Sequence, residues 1–398
     1  MIIREKYLSN IRPFYDQDLI KVIIGVRRSG KSTIMKQIIE ELKNNNNINE
    51  DRIIYLNFED EDNSFIENDL DLHHFIKSKI NNDEKYYLLF DEIQNVKNWE
   101  KAINSFKATL NVSIFITGSN SDLLSGELAT LIAGRYVSFK VHPFSFDEVC
   151  TLKKITSNFD ESFNDYLKWG GLPQRFVLTD EFQVKTYLTD VYNSIVMKDV
   201  IQRFGIKDID LFNRIIEYIV SNPSQNFSAD NLVNYFANND NREVSKTTIY
   251  NYMEYMTKAM IISKVDRYDV RGKRILTGKF KYYLTDLGFG QVMSVGKKPQ
   301  LGSFLENLVY NELLVRGYDV KVGNLQNGEV DFIATRFEEK IYVQVAYILA
   351  DDNVVKREFG VYENIKDNYP KYVLSMDKFD FSQNGIIHRN VIDWLLNK

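Results

Sequence analysis

The sequence predicts an α/β protein that begins with a parallel sheet covered by helices and ends in a second, smaller α/β unit. Three observations carry this expectation. Short apolar runs rich in β-branched and aromatic residues, at 19–25, 52–58, 86–90, 112–117 and 136–141, alternate with helix-like segments over the first 143 residues. Such alternation marks strand–helix–strand crossovers, whose strands run parallel. The first of these runs leads into a glycine-flanked loop with a helix behind it, at 32–42. Residues 303–398 then read as helix 304–316, strands 318–322, 330–336 and 341–347, helix 354–365 and strand 371–376.

Between these ends the pattern is mostly helical. Segments 144–151, 160–168 and 185–204 are interrupted by a Gly170–Pro173 turn, and 144–206 is expected to form a helical lid. Residues 207–285 predict helices at 208–220, 228–236 and 245–262, with Ser228 and Ser245 as N-caps. A hairpin follows, with arms 264–268 and 279–285. Three helices and a hairpin are the order of a winged helix. In its third helix Ile249, Met253, Met256 and Met260 recur at helical spacing and share one face. Gly288, Gly290, Gly296, Pro299 and Gly302 mark 286–302 as a linker.

Composition narrows the classes of function. A chain of 398 residues allows about two to four domains. With 44% hydrophobic and 26% charged residues it can bury several cores and is not globally disordered. Fifty basic and 55 acidic residues give a net charge of −5, which excludes a DNA coat that is basic all over but not a local basic patch. Cys150 is the single cysteine, so no intrachain disulfide forms, which fits a reducing, cytoplasmic setting. Four histidines and one cysteine are too few for the usual zinc site. No apolar run reaches the roughly 18 residues of a membrane span, and the charged N-terminus lacks a signal-peptide core. No membrane partner is expected.

The chemistry begins at GVRRSGKS, residues 25–32, which fits the pattern GxxxxGK[ST] between a strand and a helix. Gly25 and Gly30 let the backbone turn tightly and bring its N–H groups against phosphate oxygens. The helix start adds the positive end of its dipole. Lys31 reaches the β- and γ-phosphates and Ser32 ligates Mg²⁺. Val26, Arg27, Arg28, Ser29 and Thr33 complete the nucleotide-binding stretch. Sixty positions on, YYLLFDE is an apolar strand ending in two carboxylates. Asp91 is expected in the Mg²⁺ shell and Glu92 as the group that polarises the attacking water. The adjacent glutamate favours hydrolysis of ATP, and the chain has no NKxD-like motif for guanine.

These motifs, followed by a strand that ends in polar residues (IFITGSN, 114–120), resemble the AAA-type ATPases. The resemblance implies that Thr117, Ser119 or Asn120 senses the γ-phosphate, with the choice among them open. It implies that Asn57 restrains the catalytic glutamate. It also puts Arg135, after Gly134, where an arginine finger reaches a neighbouring subunit's nucleotide, a contribution of roughly 10³–10⁵ in turnover. A homo-oligomer is the corollary. Over nearly its full length the sequence resembles a group of uncharacterised bacterial and archaeal ATP-binding proteins with an AAA-type domain followed by a C-terminal domain of unknown function. The stretches that carry this are IKVIIGVRRSGKST, LLFDEIQ, TGSNSDLL, AGRYVSFKVHPFSFDE, GGLPQ, KYYLTDLG and FLENLVYNELLVRGYDV. The expected function is hydrolysis of Mg-ATP to drive conformational change; a nucleotide switch with slow hydrolysis is the alternative.

In the winged-helix reading Lys246, Thr247, Tyr250, Asn251 and Glu254 lie off the methionine face, where they can meet a major groove. The hairpin carries Lys264, Arg267, Arg271, Lys273, Arg274, Lys279 and Lys281 against Asp266 and Asp269, seven minus two or net +5. A basic hairpin beside a polar helix makes double-stranded DNA the expected partner. The last unit has the element order of the restriction-endonuclease-like fold. That resemblance implies metal-site roles for Glu306 and Asp331, with Glu329 nearby. Gln344 and Ala346 replace the carboxylate and lysine of the third strand, so a catalytically degenerate domain is expected over an ATP-controlled nuclease. Lys356 is the lysine that could reach over as a substitute.

Overall fold

In the computed structural model the described residues are 2–398 apart from 45, 47, 120–131, 133, 222, 241, 294–299, 326 and 327, with the backbone alone for 277–279. The chain forms two compact units, one of residues 1–141 with 258–260 and the other of 142–257 with 261–398.

The first unit is built on five parallel strands: β1 (Ile20–Ile24), β2 (Ile53–Asn57), β3 (Tyr86–Asp91), β4 (Val112–Gly118) and β5 (Tyr136–Lys140), in the order β2-β3-β4-β1-β5. β1, β3 and β4 are buried along their whole length, which is why they read as unbroken apolar runs rather than alternating ones. Helix Lys31–Asn44 turns Ile34, Met35, Ile38 and Leu42 toward Ile23, Leu89 and Phe115 of the sheet. Helix Trp99–Thr109 buries Trp99, Ala102, Ile103 and Phe106. Since all five strands are parallel, the residues after β1, β3 and β4 gather along one edge of the sheet, where open α/β sheets bind ligands.

The second unit opens with helices Phe146–Lys153, Phe159–Trp169 and Glu181–Ser194, the last running on as a π-helix from Ile195 to Gln202. Ser145 and Glu148 form a capping box at the first of them. Helices Ile209–Ser221, Ala229–Asp240 and Lys246–Lys258 follow, and then the antiparallel pair β6 (Ile262–Asp269) and β7 (Arg274–Leu284). Ile249, Met253 and Met256 are buried as one face, and Met260 lies just past the helix end with a φ of 57°. Lys246, Thr247, Tyr250, Asn251 and Glu254 are exposed.

Two features depart from the domain plan. The hairpin is not a free wing: β6 also pairs in parallel with β8 (Asp319–Leu325), Arg267–Asp269 against Val322–Asn324. With β9 (Gly328–Arg336), β10 (Glu339–Val345), β11 (Lys371–Ser375) and β12 (Ile387–Asn390) it makes one seven-stranded sheet, ordered β12-β11-β10-β9-β8-β6-β7. The expected linker 286–302 contains a buried helix, Leu287–Met293, and the start of helix Leu301–Val315. Gly288 and Gly290 serve packing rather than freedom. A Cβ on Gly288 would come within 2.5 Å of the Trp169 carbonyl, and one on Gly290 within 2.6 Å of the Phe304 ring. No helix among the described residues is long and apolar enough to cross a membrane.

Candidate nucleotide-binding site

The loop between β1 and helix Lys31–Asn44 has the backbone its glycines predict. Gly30 sits at φ 100°, and Arg28 is held at φ 69°. A Cβ at Gly25 would lie 2.3 Å from the Val141 carbonyl and 2.8 Å from Ser29 Oγ, so only glycine fits that turn. Val26 and Ser29 are buried, Thr33 is partly buried, and Ser32 is exposed at the first helical turn. Arg27 turns to Glu59, Nη1 to Oε1 at 2.7 Å. Lys31 is buried, and its ammonium donates to the Gly25 carbonyl at 3.1 Å and lies 3.3 Å from Glu92 Oε1.

The acidic strand end is assembled around Thr117. Its hydroxyl donates to Asp91 Oδ1 and accepts from the Glu92 amide at 2.9 Å. Tyr55, on the neighbouring strand, donates its phenolic hydrogen to Asp91 Oδ2 at 2.9 Å. Asp91 is fully buried, so these donors offset the loss of its hydration. Glu92 leaves the strand in the left-handed region, φ 54° and ψ 48°, a conformation that costs a non-glycine residue about 1–2 kcal/mol. Burial works to raise the Glu92 carboxyl, but the Lys31 ammonium, the Gln94 amide and Arg27 outweigh it and hold it below the usual carboxylate range.

The other sequence-derived candidates divide. Ser119 is buried just past β4, and its hydroxyl is without a hydrogen-bond partner among the described residues. Thr117 is committed to Asp91 and Glu92, and Asn120 lies outside the described residues. Asn57 does not take the role implied for it: its side-chain oxygen accepts from the Glu59 amide at 3.0 Å, and the amide that reaches Glu92 is Gln94. Asn57 ends its strand beside Asp91 in register, but it turns into its own loop. Arg135 is exposed and precedes β5, whose first residues pair with the start of β1, so it stands at the sheet edge opposite the loop.

Sequence reading missed three supporting side chains. Arg4, buried ahead of the first helix, donates to the Ser29 carbonyl at 3.0 Å and braces the loop from 25 positions upstream. Tyr55 and Gln94 are the others. Tyr55 lies two residues before the strand end and Gln94 two after the glutamate, spacings that a motif search keyed to carboxylates does not weigh.

In the second unit Glu306 and Asp331 do approach one another, but the lysine beside them comes from the hairpin. Lys281 is buried with its ammonium 3.1 Å from Glu306 and 2.5 Å from Glu329, while Lys356 is exposed. Tyr283 donates to Glu306 at 2.7 Å. Gln344 spends its amide on the Asp331 N–H and on Glu358. No group of three His, Cys, Asp or Glu among the described residues could hold a metal. The basic hairpin is correspondingly less basic than its sequence: Lys281 and Arg267 both face Glu329, and Lys264 lies over the Phe280 ring.

Residues 17–150 match the family model described as an AAA domain, and residues 160–300 match a Domain of unknown function (DUF8612). The chain is 38% identical over 402 residues to an uncharacterised protein of Haemophilus influenzae, covering 100% of this chain and 99% of that one. It is 35% identical over 368 residues to an uncharacterised protein of Methanocaldococcus jannaschii, covering 87% and 79% respectively. Among solved structures, Cdc6p from Pyrobaculum aerophilum aligns with 79% of this chain and 93% of that chain at 10% identity and a TM-score of 0.31, a likeness too slight to carry an argument.

Proposed function

Because the chain belongs to a family of bacterial and archaeal proteins in which an AAA domain precedes a domain of unknown function, we propose that it is an AAA-type ATPase that hydrolyses Mg-ATP to drive conformational change. The observation that carries the reading is the 3.3 Å contact between Lys31, which ends the glycine-flanked loop, and Glu92, which ends the acidic strand. The donor set suits a nucleotide: a glycine-shaped loop, a helix N-terminus and hydroxyls on Ser29 and Ser119 that have no partner among the described residues. Ser32 and Asp91 would hold Mg²⁺, which supplies charge neutralisation to the phosphates when bound. Lys31 binds and neutralises the outer phosphates, Glu92 accepts a proton from water, and Ser119 is the γ-phosphate sensor. Lys31→Ala is expected to abolish ATP binding, and Glu92→Gln to bind ATP without turning it over. A Glu92→Gln protein that hydrolyses ATP at the wild-type rate sinks the assignment.

A second reading rests on the exposed face of helix Lys246–Lys258. With 144–206 as lid, 207–285 as winged helix and 303–398 as an inactive nuclease-like unit, Thr247, Tyr250 and Asn251 would meet a DNA duplex. Lys246 is paired with Asp230, so the uncharged side chains carry this reading. Duplex binding weakened by Asn251→Ala supports it; binding unchanged in Thr247→Ala, Tyr250→Ala and Asn251→Ala together removes it.

A further inference from the structure

We propose that Gln94 is the positioning residue for Glu92: its side-chain amide fixes the carboxylate for water activation when Lys31 is engaged with phosphate. The inference rests on the ATPase reading above. Among the described residues, two polar side chains meet the Glu92 carboxylate. Lys31 faces Oε1 at 3.3 Å, and the Gln94 Nε2 group donates to Oε2. These partners differ in what substrate binding does to them. Lys31 is the residue the phosphates attract, and its ammonium cannot serve both the γ-phosphate and Glu92 at full strength. Gln94 makes no other side-chain hydrogen bond among the described residues and so is free to stay on the carboxylate.

The local backbone is built to deliver that amide. Glu92 is left-handed, its N–H tied to Thr117, and its carbonyl accepts from the Asn95 amide at 3.1 Å, closing a one-turn 3₁₀ segment, Ile93–Asn95. Ile93 is fully buried and anchors the turn, which brings the residue two positions on back over Glu92. The amide can be oriented only one way, because turning it over would set Gln94 Oε1 against a carboxylate oxygen.

That orientation leaves Gln94 Oε1 buried and without a hydrogen-bond partner among the described residues. A buried acceptor without a partner is uncommon, and a role in chemistry is one of the explanations for it.

The experiment separates binding from turnover. Gln94→Met keeps the length and volume of the side chain and removes the donor; Gln94→Ala guards against a packing artefact of the thioether. Both are expected to lower kcat about 10- to 100-fold, less than the roughly 10²–10⁴ carried by a general base itself, with the ATP dissociation constant changed less than about threefold. Introduced into Glu92→Gln and measured on the residual hydrolysis seen in single turnover at excess enzyme, Gln94→Met should cost nothing further, because a residue that acts only through Glu92 has nothing left to position. Full kcat in both single variants overturns the inference, as does an equal loss in the wild-type and Glu92→Gln backgrounds. Either result leaves the ATPase reading standing. Wild-type hydrolysis by Glu92→Gln alone would instead remove the reading on which the inference rests.

Discussion

Tyr55 and Asp91 meet across two adjacent parallel strands, the phenolic hydroxyl donating to Asp91 Oδ2 at 2.9 Å. In the β2–β3 register Tyr55 stands opposite Leu89, so the ring reaches diagonally forward to the strand end. Burial and the Asp91 charge together push the phenol well above its usual range, so it remains a donor throughout the accessible pH range. Tyr55→Phe should leave Asp91 Oδ2 short of a partner and destabilise the protein by about 1.5 kcal/mol, the low end for a bond to a charged group because Tyr55 is only partly buried. Urea unfolding measures that loss. A higher Mg²⁺ concentration for half-maximal ATP hydrolysis should accompany it, and an unchanged Mg²⁺ requirement would show that Thr117 alone holds Asp91.

Thr117 and Ser119 are separable by experiment because one hydroxyl is spent and the other is not. Thr117→Val removes both the bond to Asp91 and the acceptor for the Glu92 amide, whereas Thr117→Ser keeps them. The valine variant should lose about 2–3 kcal/mol of stability together with turnover, and the serine variant should lose little of either. Ser119→Ala removes a buried hydroxyl that has no partner among the described residues, so unfolding should be unaffected or slightly harder. Its effect belongs to the phosphates: slower hydrolysis with ATP still bound. Normal hydrolysis by Ser119→Ala would take the sensing role away from Ser119.

The parallel sheet was legible because β1, β3 and β4 are buried on both faces and had no freedom to be anything but apolar. The loop and the Asp91-Glu92 strand end stood out because GxxxxGK[ST] and a paired-carboxylate strand end are narrow patterns at fixed spacing, and the structure brings Lys31 to Glu92. Asn57 misled because a polar strand end looks the same whether its amide faces a catalytic glutamate or its own turn; only the loop conformation at Glu59 decides. The linker misled for a related reason. Glycine signals freedom or contact with equal force, and at Gly288 and Gly290 it was contact. The hairpin's charges were read as solvent-facing because sequence shows no partners. Glu306 and Glu329, which meet Lys281, come from a helix and a strand 25 and 48 positions further on.

Asp286 gives the second unit a pH dependence of unusual sign. It is buried, and it accepts from the Gly171 amide at 2.7 Å and the Gly288 amide at 2.9 Å. Burial outweighs those donors and pushes its carboxyl up to about 6. Between the ordinary carboxylate value and 6 the folded state therefore holds a proton that the unfolded chain has released. Stability falls as pH rises through this window, the reverse of a salt-bridged aspartate. Carried across that window, the effect amounts to roughly 3 kcal/mol. Asp286→Asn removes the titration but also one acceptor, so it should be clearly destabilising at pH 4 and become less so, relative to wild type, by pH 7. Urea unfolding of both proteins across that range tests it; a difference that stays constant with pH would show that Asp286 is not the titrating group.

Arg135 makes a prediction about assembly. Its carbonyl accepts from Ile20 at 2.9 Å, and Tyr136 pairs with Ile20, so it stands beside the first residue of β1. The phosphate loop begins after the last residue of that strand, about 15 Å away along five residues of extended chain. An arginine at that edge cannot serve the loop of its own sheet. If it acts on a nucleotide, it acts on a second copy's. Arg135→Ala should then bind ATP normally and hydrolyse it slowly, by a factor of roughly 10³ or more for a full finger. Mixing Arg135→Ala with Glu92→Gln supplies the discriminating measurement. Each variant is inactive for a different reason, and in a mixed assembly the Glu92→Gln copy offers its intact arginine to the intact glutamate of the other. Recovered hydrolysis in the mixture, rising with protein concentration, establishes subunit-shared sites. An Arg135→Ala protein with full activity at all concentrations would instead leave Arg135 as a charged cap on the sheet edge and place catalysis within one chain.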